Sequence, residues 1–104
     1  MSPGRPTFDL ARVQSLAASP LSRWITGAAV NGAGELGLDE QAIIDCVLSL
    51  DASCFYKTMP AEKRPGCWQD VYRPMFEGYA LYVKVQIIEE DLDETVVVIS
   101  FKRR

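Results

Sequence analysis

Near Leu50 the spacing of apolar residues changes, and that change constrains the fold more than any other feature of the chain. Before it, Ala42, Ile43, Cys46, Val47 and Leu50 recur every three or four residues, the period that lines one face of a helix. From Phe55 onward the period is two: Leu81, Val83, Val85 and Ile87 alternate with Tyr82, Lys84 and Gln86, as in a strand with one face covered and the other open. With helices first and strands last, the pattern predicts an α+β domain whose N-terminal helices pack on one face of a C-terminal antiparallel sheet.

The individual elements follow from local chemistry. Asp39 suits the N-cap of the helix through Leu50, which Asp51-Ala52-Ser53 ends. Upstream, Leu10, Val13, Leu16 and Ala17 predict a helix over Phe8 to Ala18, capped by Thr7 or Asp9 and closed by Pro20. Arg23 to Thr26 reads as an edge strand and Ala28 to Leu36 as a helical turn or two stopped at Gly37. Strands are expected at Phe55 to Met59, Trp68 to Pro74, Tyr79 to Ile88 and Thr95 to Lys102. The turns at Met75 to Gly78 and Glu89 to Glu94 are short enough to make the last three an antiparallel meander. Strand parity sets Val97, Ile99 and Phe101 on the covered face, opposite Ser100 and Lys102; it leaves the facing of 55–59 and 68–74 open. Residues 1–6 are expected as a disordered tail before one domain over 7–104, since 104 residues supply one core and not two.

Several function classes are excluded by what the chain lacks. It has no histidine, which removes Ser-His and Cys-His nucleophile pairs and the two-histidine route to RNA cleavage. Cys46, Cys54 and Cys67 have no zinc-ligand spacing and read as reduced thiols; a thiol or metal hydrolase is disfavoured for the same want of imidazole. No apolar segment resembles a secretory signal or a membrane span, so a cytoplasmic protein is expected. Gly32-Ala33-Gly34-Glu35-Leu36-Gly37 fits the dinucleotide fingerprint G-x-G-x-x-G, but no parallel second strand with its own crossover follows, and a helix ending at Gly37 explains the glycines better. The net charge of -3 argues against a nucleic-acid partner until its distribution is considered. Glu89, Glu90, Asp91, Asp93 and Glu94 crowd one expected turn, and the remainder of the chain sums to +2.

Five blocks in order carry a family likeness across residues 7 to 102: Glu35-Leu36-Gly37-Leu38-Asp39, Phe55-Tyr56-Lys57-Thr58-Met59, Trp68-Gln69-Asp70-Val71-Tyr72-Arg73-Pro74, Tyr82-Val83-Lys84 and Ser100-Phe101-Lys102. Together they resemble the MqsR family, toxins of type II toxin-antitoxin pairs. The resemblance implies a compact α+β fold like that of RelE-type ribonucleases, selective mRNA cleavage that needs no metal cofactor, and a cognate antitoxin of a zinc and helix-turn-helix type. Carried over position by position, it implies Lys57, Gln69, Tyr82 and Lys102 as the catalytic set.

The residue types suit that chemistry. RNA is cut by its own 2′-hydroxyl once a group removes the hydroxyl proton and cations neutralise charge on the phosphoryl oxygens. Lys57 and Lys102 are expected to stabilise the phosphorane, Tyr82 to carry a proton, and Gln69 to orient a phosphate or base. Arg73 and Lys84 add charge on parity grounds, and crowding among the cations should lower one lysine's pKa. Tyr56, Trp68, Tyr72 and Tyr79 are candidates to stack unpaired bases. The alternative function is a protein of the same fold that binds or regulates without cutting.

Overall fold

The computed structural model describes residues 4–104, so the part of the expected tail at residues 1–3 lies outside the described residues. In chain order the elements are α1 (Leu10–Ala17), β1 (Arg23–Ile25), α2 (Gly27–Gly34), α3 (Glu40–Ser49), a 3-10 turn (Ala52–Cys54), β2 (Phe55–Pro60), β3 (Trp68–Tyr72), β4 (Met75–Phe76), β5 (Tyr79–Glu90) and β6 (Asp93–Arg103). Each helix starts where a short polar side chain accepts a hydrogen bond from an orphan amide: Asp9 from Arg12 N at 3.2 Å, Thr26 from Ala29 N at 3.1 Å and Asp39 from Ala42 N at 2.9 Å. The expected α+β arrangement is present.

The six-stranded sheet runs β1-β6-β5-β3-β2, with β4 folded back on β5. It is mixed rather than purely antiparallel, because β1 pairs with β6 in parallel. The hairpins are tighter than the sequence suggests. Both long strands continue through the acidic run, leaving only Asp91 and Leu92, at φ 49° and 75°, as the turn between β5 and β6. Two consecutive positive φ values suit the turn type whose twist matches paired strands.

One face of the sheet carries the core. Leu81, Val83 and Val85 of β5, with Val96, Val98 and Phe101 of β6, meet Val13, Leu16, Ala29, Ala33, Ile43 and Val47 from the helices. Burying side chains of this size contributes about 1.5–3 kcal/mol each. Gly32 sets how closely α2 can approach: a Cβ there would lie 1.9 Å from the Phe101 carbonyl oxygen. Gly37 ends that segment at φ +75°, so these glycines serve packing and chain reversal, as their helical context suggests.

Two β-bulges decide which residues face outward. In β6 the pairing steps from Lys84↔Ser100 to Val85↔Val98, so Ile99 is an extra residue. Thr26 holds the bulge, its amide donating to the Val98 carbonyl at 3.1 Å and its hydroxyl to the Ile99 carbonyl at 2.8 Å. Strand parity therefore fails here: Val96 and Val98 join the core, whereas Val97 and Ile99 lie on the opposite, open face beside Lys84 and Gln86. In β2 the register moves from Phe55↔Tyr72 to Lys57↔Val71, with Tyr56 as the extra residue. That step lets Phe55 pack inward, edge-on to Tyr72 at 5.6 Å, while Lys57, two positions later, faces outward.

Candidate active site

The open face is assembled from four strands by register alone. Lys57, Val71, Lys84 and Ser100 are successive partners across β2, β3, β5 and β6, and Tyr82 and Lys102 are partners one step along. Met59 pairs with Gln69, and Gln86 with Val97, on the other side of the lysine row. Val71 is fully buried although it belongs to the open face, because the longer side chains around it close over it. The outward set on β3 is thus Gln69 and Val71, with Arg73 just beyond the strand on the same face, which parity left undecided.

Within this surface the aromatic rings carry the cations. Lys102 Nζ stands 5.1 Å and Lys84 Nζ 5.9 Å from the centre of the Tyr82 ring. Arg73 Cζ lies 4.4 Å and Lys57 Nζ 5.6 Å from the centre of the Tyr56 ring. The Tyr82 hydroxyl reaches across to Met59 Sδ at 3.9 Å. Gln69 Nε2 donates to Gln86 Oε1 at 3.1 Å, which fixes both amides beside Lys84. Among the described residues the ion pair is Arg12 with Glu94, at 2.6 Å, so Lys57, Arg73, Lys84 and Lys102 are not neutralised by a carboxylate in contact. The acidic run does not interfere. Glu90 is six residues beyond Lys84 on β5, about 20 Å at the strand rise, against a screening length of roughly 8 Å.

Two groups on this face have displaced proton affinities. Burial pushes the Lys84 ammonium below its ordinary value; Glu62 opposes that shift, and Lys102 and Lys57 add to it. Crowding among cations was the expected cause, and it contributes, but desolvation is the larger one. Tyr82 moves upward, through burial first and Tyr56 second, so the cations do not turn it into a phenolate. Lys84 is the group inclined to release a proton and Tyr82 the one inclined to keep it.

Lys57, Tyr82, Lys102, Gln69, Arg73, Lys84 and Tyr56 therefore come together. The other aromatic candidates do not. Tyr72 points to the helix layer and is fully buried, which removes it as a base platform. Tyr79 packs against the core and donates its hydroxyl to the Leu36 carbonyl at 3.2 Å. Trp68 alternates with Gln69 and so shares the face of Asp70, away from the lysines. No cluster of three or more Cys, Asp or Glu side chains arranged to hold a metal occurs among the described residues.

The profile of one protein family, described as the motility quorum-sensing regulator, toxin of MqsA, matches residues 5–103. The chain belongs to the MqsR toxin family. A curated relative, the mRNA interferase toxin MqsR of Escherichia coli (strain K12), is 33% identical over 99 residues, covering 95% of each chain. In this MqsR-family chain the sequence reading missed two parts of the surface. One is the loop between β2 and β3, whose Glu62, Lys63 and Arg64 fold over the open face; the charge run Glu62-Lys63-Arg64 was the available signal. The other is the apolar pair Val97 and Ile99, which no periodicity could reveal, because a bulge places them there.

Asp70 has a structural part in the motif around it. Fully buried, it accepts hydrogen bonds from the Thr7 and Phe8 amides, each at 2.9 Å, and so ties the start of the chain to β3. No helix is long and apolar enough to cross a membrane among the described residues.

Proposed function

We propose that the protein is the toxin of a toxin-antitoxin pair and an endoribonuclease that cuts mRNA using only its own side chains. The observation that carries this reading is one sheet face on which Lys84 and Lys102 flank Tyr82, and Lys57 and Arg73 flank Tyr56, with no carboxylate in contact with these cations among the described residues. Such a face suits the phosphate backbone of an unpaired strand, and its exposed Tyr56 suits a base.

The reaction follows from the proton affinities. The ribose 2′-oxygen attacks the adjacent phosphorus while Lys84, in its neutral form, takes the hydroxyl proton; desolvation makes that form more accessible than in an ordinary lysine. The 2′-oxygen to phosphorus bond forms and the bond from phosphorus to the 5′-oxygen breaks. Tyr82, held protonated, gives its proton to the leaving 5′-oxygen. Lys57 and Lys102 stabilise the charge that gathers on the phosphoryl oxygens, Arg73 offers a planar fork to a neighbouring phosphate, and Gln69 orients the strand. The products are a 2′,3′-cyclic phosphate and a 5′-hydroxyl. An antitoxin combining a zinc-binding part with a helix-turn-helix repressor would hold the toxin silent, and cleavage would be selective for sequence.

Incubating the purified protein with RNA in EDTA tests the reading. Cleavage should persist, and Lys57→Ala or Tyr82→Phe should lower it by about a hundredfold or more. Intact RNA at high protein excess would refute the enzyme and favour the binding protein of the same fold.

A further inference from the structure

Beside the lysine row the open face deepens into a groove of about 340 Å³, walled on one side by the loop Ala61 to Arg64 and floored by β5 and β6. Its composition differs from that of the catalytic surface. Ile88, Val97 and Ile99 supply an apolar floor, and the bulge at Ile99 is what puts two of these β-branched side chains there. Gln69 and Gln86 lie at the end nearest Lys84, locked to each other by the 3.1 Å hydrogen bond. That bond uses one donor and one acceptor. An amide pair carries others, and Gln86 is only 5% exposed, so its remaining hydrogen-bonding capacity is directed into the groove it lines.

Glu62 is the residue that discriminates between ligands. Lys63, Arg64 and Lys84 share the lining and suit the phosphates on either side of a base, while Glu62 is the one carboxylate among them and the group able to accept N–H donors. Glu62 makes no ion pair with Lys84 among the described residues, so it is not simply a tether for that lysine. What a carboxylate, two fixed amides and an apolar floor do suit is a flat heterocycle with N–H donors on its edge. Lys84 and Gln69 line the groove and also belong to the cationic face, so a ligand lying in it abuts the reacting phosphate.

We propose that this groove holds a nucleobase flanking the cleaved phosphodiester, one bearing an exocyclic amine, with Glu62, Gln69 and Gln86 at its hydrogen-bonding edge and Ile88, Val97 and Ile99 against its ring. The proposal rests on the ribonuclease reading above and adds to it the part of the face that chooses where the strand is cut.

The test uses the full chain with short oligoribonucleotides that differ only in the bases flanking one cleavable bond. Glu62→Gln removes the charge without changing shape, and Val97→Phe fills the floor. Wild type should prefer an amine-bearing base at one flanking position, and both variants should relax that preference by about tenfold, read as the ratio of rates on substrates that differ only at that base, so that any change in overall rate cancels. An unchanged preference in both variants, with wild type active, overturns the groove and leaves the ribonuclease reading standing. If wild type cuts no RNA, that reading fails, and the groove is judged separately on uncleavable 2′-O-methyl strands by fluorescence anisotropy. There, base discrimination that Glu62→Gln abolishes supports the proposal, and equal affinity for all bases, or discrimination that Glu62→Gln leaves intact, refutes it.

Discussion

Gly32 and Gly34 sit two residues apart in α2, yet replacing each with alanine should move stability in opposite directions. At Gly32 the new Cβ would stand 1.9 Å from the Phe101 carbonyl oxygen, whereas ordinary contact begins near 3.4 Å, so the helix must retreat by about 1.5 Å. The obstacle is the backbone of a strand paired to β5 and cannot rotate aside. A retreat of that size forfeits much of the dispersion contact that Ala29 and Ala33 make with the sheet, and overpacking of this kind costs about 1–3 kcal/mol, against which alanine returns about 1 kcal/mol of helix propensity. A net loss of about 1 kcal/mol is expected. At Gly34 nothing lies within 4 Å and the backbone is helical, so alanine should stabilise by about 0.5–1 kcal/mol. For a domain of this size the two variants should bracket wild type in thermal melting, roughly 5 °C below and about 4 °C above it. Activity should separate them too. The same Cβ at Gly32 approaches Lys102 Cβ at 3.5 Å, and displacing the strand that carries Lys102 by even 1 Å can cost about a hundredfold in rate. A Gly32→Ala protein that melts and cuts like wild type would refute the packing of α2 on β6 argued here.

Further outcomes follow from other contacts. Asp70→Ala removes two hydrogen bonds to a buried carboxylate and should cost about 2–4 kcal/mol in urea unfolding, with faster hydrogen exchange at Thr7 and Phe8; unchanged exchange at those amides would contradict the anchoring role. Tyr72→Phe deletes a buried hydroxyl that has no hydrogen-bond partner among the described residues, and should leave stability unchanged or raise it by about 1 kcal/mol at neutral pH. Burial and the nearby Asp70 raise the Tyr72 pKa to about 12, above the ~10 of an unfolded tyrosine. Its contribution is therefore complete below pH ~10 and is lost as pH rises toward 12; the phenylalanine variant should show a shallower alkaline decline. Because the lysine that accepts the 2′-hydroxyl proton has a lowered pKa, the single-turnover rate should climb with pH on the acid side of the ~10.4 of an ordinary lysine, and Lys84→Arg should flatten that climb. A wild-type rate that ignores pH there would remove Lys84 from the role of base.

Much of the architecture was legible in the chain because it depends on local rules. A polar cap before α1 and α3, a helical period through α3 and a period of two along β5 are each read within a few residues, and they placed the helices ahead of the long strands. The lysine, tyrosine and glutamine positions were legible as motif residues. What local rules could not reach was facing. Phe55 and Lys57 would share a side in any regular strand, as would Val97 and Phe101, and in both strands an extra residue breaks the alternation.

Sequence alone determined the chemistry available: no imidazole, several cations, and tyrosines spaced along strands. Tertiary structure decided which of these meet and what they become. The bulge at Tyr56 turns Lys57 outward, the bulge at Ile99 floors a groove, the core claims Tyr72, and burial rather than charge does most to loosen the proton on Lys84. The physical reason is that a bulge is held by partners far along the chain, here Thr26 on the carbonyls of Val98 and Ile99, and desolvation depends on everything packed around a group. Neither quantity is a property of the residue or of its neighbours in sequence.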